Sequence, residues 1–427
     1  MFAVWTSLFV VLSCSGTAIG YQFPVPDFES PWLPFEAQAG KSKAMREIPH
    51  GLNEVPFIVD VQVKSLDAPN KGYIFQATGG IPRDDDEPEP YSGVVYIYDE
   101  SKIIVSAPHH GNGANNGYAI YTEDGNYYTG ANNQSSYSVD IRVRAWRMSS
   151  LPKADFEKTS IPMKAGNTTY RHLRAIVSDV YRDEFHGFNE YPSMILVRMN
   201  LTFTRGKLTA MADAVGANFV TYRDNIYRQN YHIVHGVSKN RIRVWIDSQY
   251  RAYIFAGYDG YPISFFAVEG YLEMYAWKPN TMAAQEYSQT LLGPNVPNET
   301  FEMPYKNNVL NPFTRVWVRS NTGPNAGFMF LGSGAMAYVK TVRDSVCSYG
   351  GLVYAYDTVN IRFWRPTSAI NGGLTCVSHF FGNGTNSQMS TDAEVVIRSW
   401  GVDSISEYNL VIVQLYNSGH EIMIGNC

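Results

Sequence analysis

Cysteine is scarce in this chain, with only four in 427 residues. That excludes a disulfide-dense scaffold and leaves buried apolar area to hold the fold. Charge of one sign is also missing. Lys and Arg number 34 against 39 Asp and Glu, so there is no basis for the basic face that nucleic-acid binding requires. Beyond residue 20 there is no long apolar run. Leu410 to Leu415 is only strand length, short of the roughly 18 residues of a membrane span. The chain carries no Gly-x-Ser-x-Gly elbow, no His-Glu-x-x-His helix and no phosphate-binding glycine loop, so the reading is of a protein that is not an enzyme.

Aromatic residues are plentiful: 30 Tyr, 22 Phe and 8 Trp. They favour strands, and the 35 Gly and 22 Pro interrupt short apolar runs at the spacing of turns. The fold class expected is therefore all-β. The first twenty residues read as a signal peptide: Phe2 to Leu12 is mostly apolar, and Ala18 and Gly20 precede a cut at Tyr21. Secretion to the extracellular space follows from that reading.

Three landmarks recur in order. The heptad His50-Gly51-Leu52-Asn53-Glu54-Val55-Pro56 returns as His186-Gly187-Phe188-Asn189-Glu190-Tyr191-Pro192. The turn Pro69-Asn70-Lys71-Gly72-Tyr73-Ile74-Phe75 returns as Pro324-Asn325-Ala326-Gly327-Phe328-Met329-Phe330. An alternating hairpin runs from Gly93 to Pro108, from His232 to Ile246 and from Gly350 to Pro366. Each copy closes on a strand ending in Trp146, Trp277 or Trp400, which are 131 and 123 positions apart. That period is one compact unit per copy. The expected architecture is three tandem antiparallel β-sandwich domains, jelly-roll or Ig-like, at 49–150, 185–280 and 308–427. A Pro-rich lead at 21–48 precedes them, and polar linkers at 150–184 and 280–305 separate them, each able to add a strand to a neighbour.

Candidate site residues follow from chemistry. Cys347 and Cys376 form the expected disulfide, while Cys427 is either a free thiol or an interchain bridge making a dimer. Asp84, Asp85, Asp86, Glu87 and Glu89 crowd one loop, read either as a solvated charge run or as a calcium or mineral contact. Calcium is the one cofactor the sequence suggests. No metal site is assigned otherwise, because His232 and His235 are three apart and would point to opposite faces of a strand. His109 and His110 lie in a glycine-rich loop, and His50 and His186 are expected to hydrogen-bond their turns. The closing tryptophans are expected to be core plugs, with sugar stacking as the alternative. Sequons stand at Asn133, Asn167, Asn200, Asn298 and Asn383, with Asn200 bordering a strand.

The heptad, the Pro-Asn-x-Gly turn, Gly350-Gly351-Leu352-Val353-Tyr354-Ala355-Tyr356 and the closing Arg398-x-Trp400 together resemble a β-rich tandem repeat of secreted marine-invertebrate proteins, including skeletal and shell organic-matrix proteins. The resemblance covers about two thirds of the chain beyond residue 20; repeat two departs from it by losing the Gly-Gly-x-Val-Tyr form. It implies secretion and a matrix or surface setting, and carries over no catalytic residue. The function expected is a non-catalytic extracellular matrix or adhesion glycoprotein of a biomineral. The alternatives are a soluble lectin and, third, a secreted hydrolase.

Overall fold

The computed structural model describes residues 23–38, 44–82, 90–108, 117–122, 126–165, 177–203, 208–217, 221–223, 227–229, 232–248, 252–255, 265–291, 302–304, 312–336, 346–367 and 371–402. Among them the protein is all-β, with mainly antiparallel sheets and one four-residue helical turn at Val177–Val180. Three large sheets dominate, and they share one plan. In the second, the strands run Phe156–Lys164, Glu269–Trp277, Met194–Thr202, Thr209–Asp213, Val95–Tyr98, Lys102–Ser106 and Met45–Pro49. The last three come from repeat one and the first four belong to repeat two.

The same exchange occurs twice more. The hairpin of repeat two, Val234–Val237 and Arg241–Trp245, joins Met329–Leu331, Phe313–Ser320 and Ala393–Trp400 of repeat three. The hairpin of repeat three, Val353–Tyr356 and Asn360–Pro366, joins Ile74–Gln76, Ile58–Ser65 and Ser138–Trp146 of repeat one. Repeat one leans on two, two on three, and three on one, so the repeats close a ring about a pseudo-threefold axis. Each large sheet thus draws on two repeats, where the sequence suggested one tandem β-sandwich per copy. A hairpin with both faces apolar needs cover on each side, and its own repeat supplies only one. The lead and linkers also belong to the sheets. Phe28–Glu29, Phe156–Lys164 and Gln285–Leu291 each flank the closing strand of the repeat that follows them.

The seams are short in hydrogen bonds and long in close contact. Met211 pairs with Tyr98, Val237 with Met329, and Phe75 with Ala355. Parallel bridges at Thr78↔Val95, Val215↔Val234 and Ser333↔Val353 mark equivalent positions in the three copies. Beside them, Gly79, Gly216 and Gly334 let backbone meet backbone across each seam. A Cβ would stand 2.0 Å from Asp213 O at the first, 2.1 Å from Leu331 O at the second and 2.6 Å from Gln76 O at the third.

Both faces of the closing strands are covered. In Ser138–Trp146, Val139, Ile141, Val143 and Ala145 pack into one core while Trp146 enters another. Trp146, Trp277 and Trp400 are fully buried and meet in a single cluster with Phe23, Phe57 and Phe313. Phe23 stacks on Phe313 at 4.5 Å and meets Trp146 edge-on at 5.1 Å. The tryptophans are core residues, as their type suggests, but of one shared core at one end of the axis and not of three.

Candidate functional site

The recurring motifs take their positions from the seams. Arg243, on the hairpin of repeat two, donates from Nη1 to Pro324 O at 2.8 Å and Asn325 Oδ1 at 2.7 Å. Its guanidinium lies 4.1 Å from the Phe328 ring centroid. Arg362, on the hairpin of repeat three, donates to Pro69 O at 3.0 Å and Asn70 Oδ1 at 2.8 Å, and lies 3.9 Å from the Tyr73 ring. The Pro-Asn-x-Gly-aromatic turn is thus a clasp: two acceptors and a ring face receive a cation from the neighbouring repeat. At the seam between repeats one and two both halves are lost together. Ile104 occupies the arginine position, and repeat two has no Pro-Asn turn.

The His-Gly heptad ties repeats one and two each to its own hairpin tip. His50 Nδ1 accepts from Leu52 N at 3.1 Å while Nε2 lies 3.1 Å from Asp99 O. His186 repeats this with Phe188 N at 3.4 Å and Ser238 O at 3.1 Å. Because Nδ1 accepts, Nε2 carries the proton and donates to the carbonyl. Burial holds the His186 imidazole below its ordinary pKa, which keeps this neutral form.

Where the three seams converge lies a partly open cavity of about 60 Å³, lined by residues of all three repeats including Thr78, Val215 and Ser333. That is room for a few water molecules, not for a drug-sized ligand. Polar groups crowd one side. Arg315 Nη1 donates to Asp60 Oδ1 at 3.0 Å and Gln76 Oε1 at 2.9 Å, and Asp60 Oδ2 accepts from Arg144 Nη2 at 2.7 Å. Asp213 receives the hydroxyls of Tyr98 at 2.7 Å and Tyr96 at 2.8 Å. Burial pushes the Asp213 carboxyl up, and these bonds with Arg198 and Arg315 only partly offset it. At Asp60 burial also pushes upward, but the Arg144 and Arg315 guanidiniums outweigh it and hold the carboxyl low. His235 lines the cavity at the position equivalent to Tyr96, its Nδ1 3.2 Å from Val215 O, and burial brings its pKa down to about 4. Every acid here is engaged by a donor, so the chamber is built as a polar axle. Its components were individually visible in the sequence, but nothing there signalled that Asp60, Asp213 and Arg315 converge.

The remaining sequence candidates separate widely. Cys347 and Cys376 are bonded, with Sγ atoms 2.02 Å apart. Asn133 and Asn383 are exposed, and Asn200 lies within the strand Met194–Thr202. His232 and His235 are both buried, and no metal-holding group of His, Cys, Asp or Glu occurs among the described residues. No helix among the described residues is long and apolar enough to cross a membrane. Residues 1–22, Asp84, Asp85, Asp86, Glu87, Glu89, His109, His110, Asn167, Asn298 and Cys427 lie outside the described residues.

Elsewhere, three tyrosines form a ladder that sequence spacing did not reveal. Tyr118 stacks 4.5 Å from Tyr137 and 5.2 Å from Tyr121, and Tyr137 is 38% exposed. Taken together, fold and site define an all-β protein whose three interlocked repeats surround a polar axle. No family model, no curated protein and no solved structure matches this chain.

Proposed function

We propose that this is a secreted, non-catalytic glycoprotein of an extracellular matrix or adhesive surface, with the organic matrix of a mineralised skeleton as its setting. The observation that carries this reading is the closed ring of three interlocked repeats. Rotation about one axis places equivalent loops of each repeat at the same height, so a weak contact made by one loop is offered up to three times at fixed spacing. Such multivalency raises avidity without any strong single site. The conspicuous repeated residues support the same reading, because the clasp arginines and closing tryptophans hold the ring while the histidines brace hairpin tips within their own repeats. Partners in this reading are matrix, mineral or glycan surfaces, with calcium bridged by the Asp84–Glu89 loop and a second chain joined through Cys427.

The tyrosine ladder favours a second reading, a soluble lectin, since the exposed face of Tyr137 suits the apolar face of a sugar ring. The secreted chain, applied to a glycan array with and without calcium and to calcium carbonate powder, separates the two. Calcium-strengthened adsorption to mineral with no sugar preference supports the matrix protein. Saturable binding to one sugar class overturns it in favour of the lectin.

A further inference from the structure

Repeats one and three carry a cross-strand ion pair at the same place on their sheets. Lys64 Nζ lies 3.0 Å from Asp140, and Arg319 pairs with Glu394. The register makes these positions equivalent: Lys64↔Asp140, Asn200↔Tyr271 and Arg319↔Glu394 each lie six residues along from the pairing of Ile58, Met194 or Phe313 with the closing tryptophan. In repeat two both charges are gone. Asn200 opens the sequon Asn200-Leu201-Thr202, and the residue directly across from it is a tyrosine that is 58% exposed. Met199, Leu201 and Leu272 are in the core, so Asn200 and Tyr271 share the opposite, outward face. Residues directly opposite on antiparallel strands hold their Cβ atoms about 4.5–5.5 Å apart, the distance at which a group on one lies over the side chain of the other.

We propose that Asn200 is an N-glycosylation site whose first N-acetylglucosamine rests on Tyr271, a sugar–aromatic contact taking the place of the ion pair in the other two repeats. The inference rests on the secretory reading above, because the chemistry needs a polyprenyl-diphosphate-linked oligosaccharide. The Asn200 amide nitrogen attacks C1 of the first sugar and the N–C1 bond forms. The C1–O bond to the diphosphate breaks, the polyprenyl diphosphate leaves with the electron pair, and the amide releases one proton. The exposed apolar ring of Tyr271, costly to leave in water, is then covered by the C–H face of the sugar.

The test is secretion of the whole chain from eukaryotic cells, followed by peptide mapping of all five sequons. Melting is then compared for the wild type, Thr202→Ala, Tyr271→Ala and the double variant; Thr202→Ala removes the acceptor signal while keeping Asn200. Trimming to a single N-acetylglucosamine is a further arm. Asn200 should be occupied in most molecules, loss of the glycan should lower Tm by a few degrees, and the loss should vanish when Tyr271 is already alanine. Trimming to one sugar should leave Tm unchanged. Occupancy at Asn133 or Asn383 with Asn200 bare overturns the inference and leaves secretion standing. No occupancy at any sequon overturns both. Equal Tm losses with and without Tyr271 overturn the stacking.

Discussion

Asp60, fully buried, and Asp213, half-buried, are carboxylates near the axis, and they respond to acid in opposite directions. Asp60 is held below its ordinary pKa by Arg144 and Arg315, so its contribution is complete above the unfolded value of 3.8 and is lost as pH falls through the lower folded value. Asp60→Ala would strand two buried guanidiniums, and a cost of about 3–5 kcal/mol is expected in urea unfolding at neutral pH. Asp213 is raised by burial, so the folded state binds its proton more tightly than the unfolded chain does. Its ionisation therefore costs stability as pH rises from 3.8 through the folded value. The Tm advantage of the wild type over Asp213→Asn should widen as pH is lowered from neutral, since a protonated Asp213 still meets Tyr96 and Tyr98. A gap that narrows on acidification would refute this assignment.

At the level of elements, the hairpin and the Pro-Asn turn act as one joint although they belong to different repeats. Arg362→Ala removes two charge-assisted hydrogen bonds and a ring contact at the seam between repeats three and one, and should cost about 1–3 kcal/mol. Arg362→Lys should recover only part of that, because an ammonium cannot match the planar fork. The alternation that marks each hairpin, and the turn residues, were legible in the sequence because they are local. What each hairpin leans on was not, since a period of two says which face a residue occupies and is silent about which strand lies alongside. The linkers were half legible: their capacity to add a strand was readable, their membership in the following repeat was not.

At the scale of the whole molecule, the ring makes the repeats mutually dependent. Calorimetry of the described fold should show one cooperative transition, with calorimetric and van't Hoff enthalpies equal; three separable transitions would contradict the interlocking. A Cβ at Gly216 would press on the Leu331 backbone, so Gly216→Ala should cost about 2–3 kcal/mol and lower that single transition as a unit. Destabilising one seam should never leave a two-repeat core folded, because each hairpin would lose the sheet that covers it.

By itself the sequence determined the all-β class, the threefold repetition, the bonded cysteines and the burial of the closing tryptophans, all of which follow from side-chain volume, backbone preference and short-range periodicity. Only the tertiary structure decided that the repeats interlock, that the tryptophans share one core, that Asp60, Asp213 and Arg315 converge on an axle, and that Asn200 faces Tyr271. Those pairings join residues tens to hundreds of positions apart, and they are chosen by which apolar faces can cover each other in space, a competition among the three copies that no local pattern records.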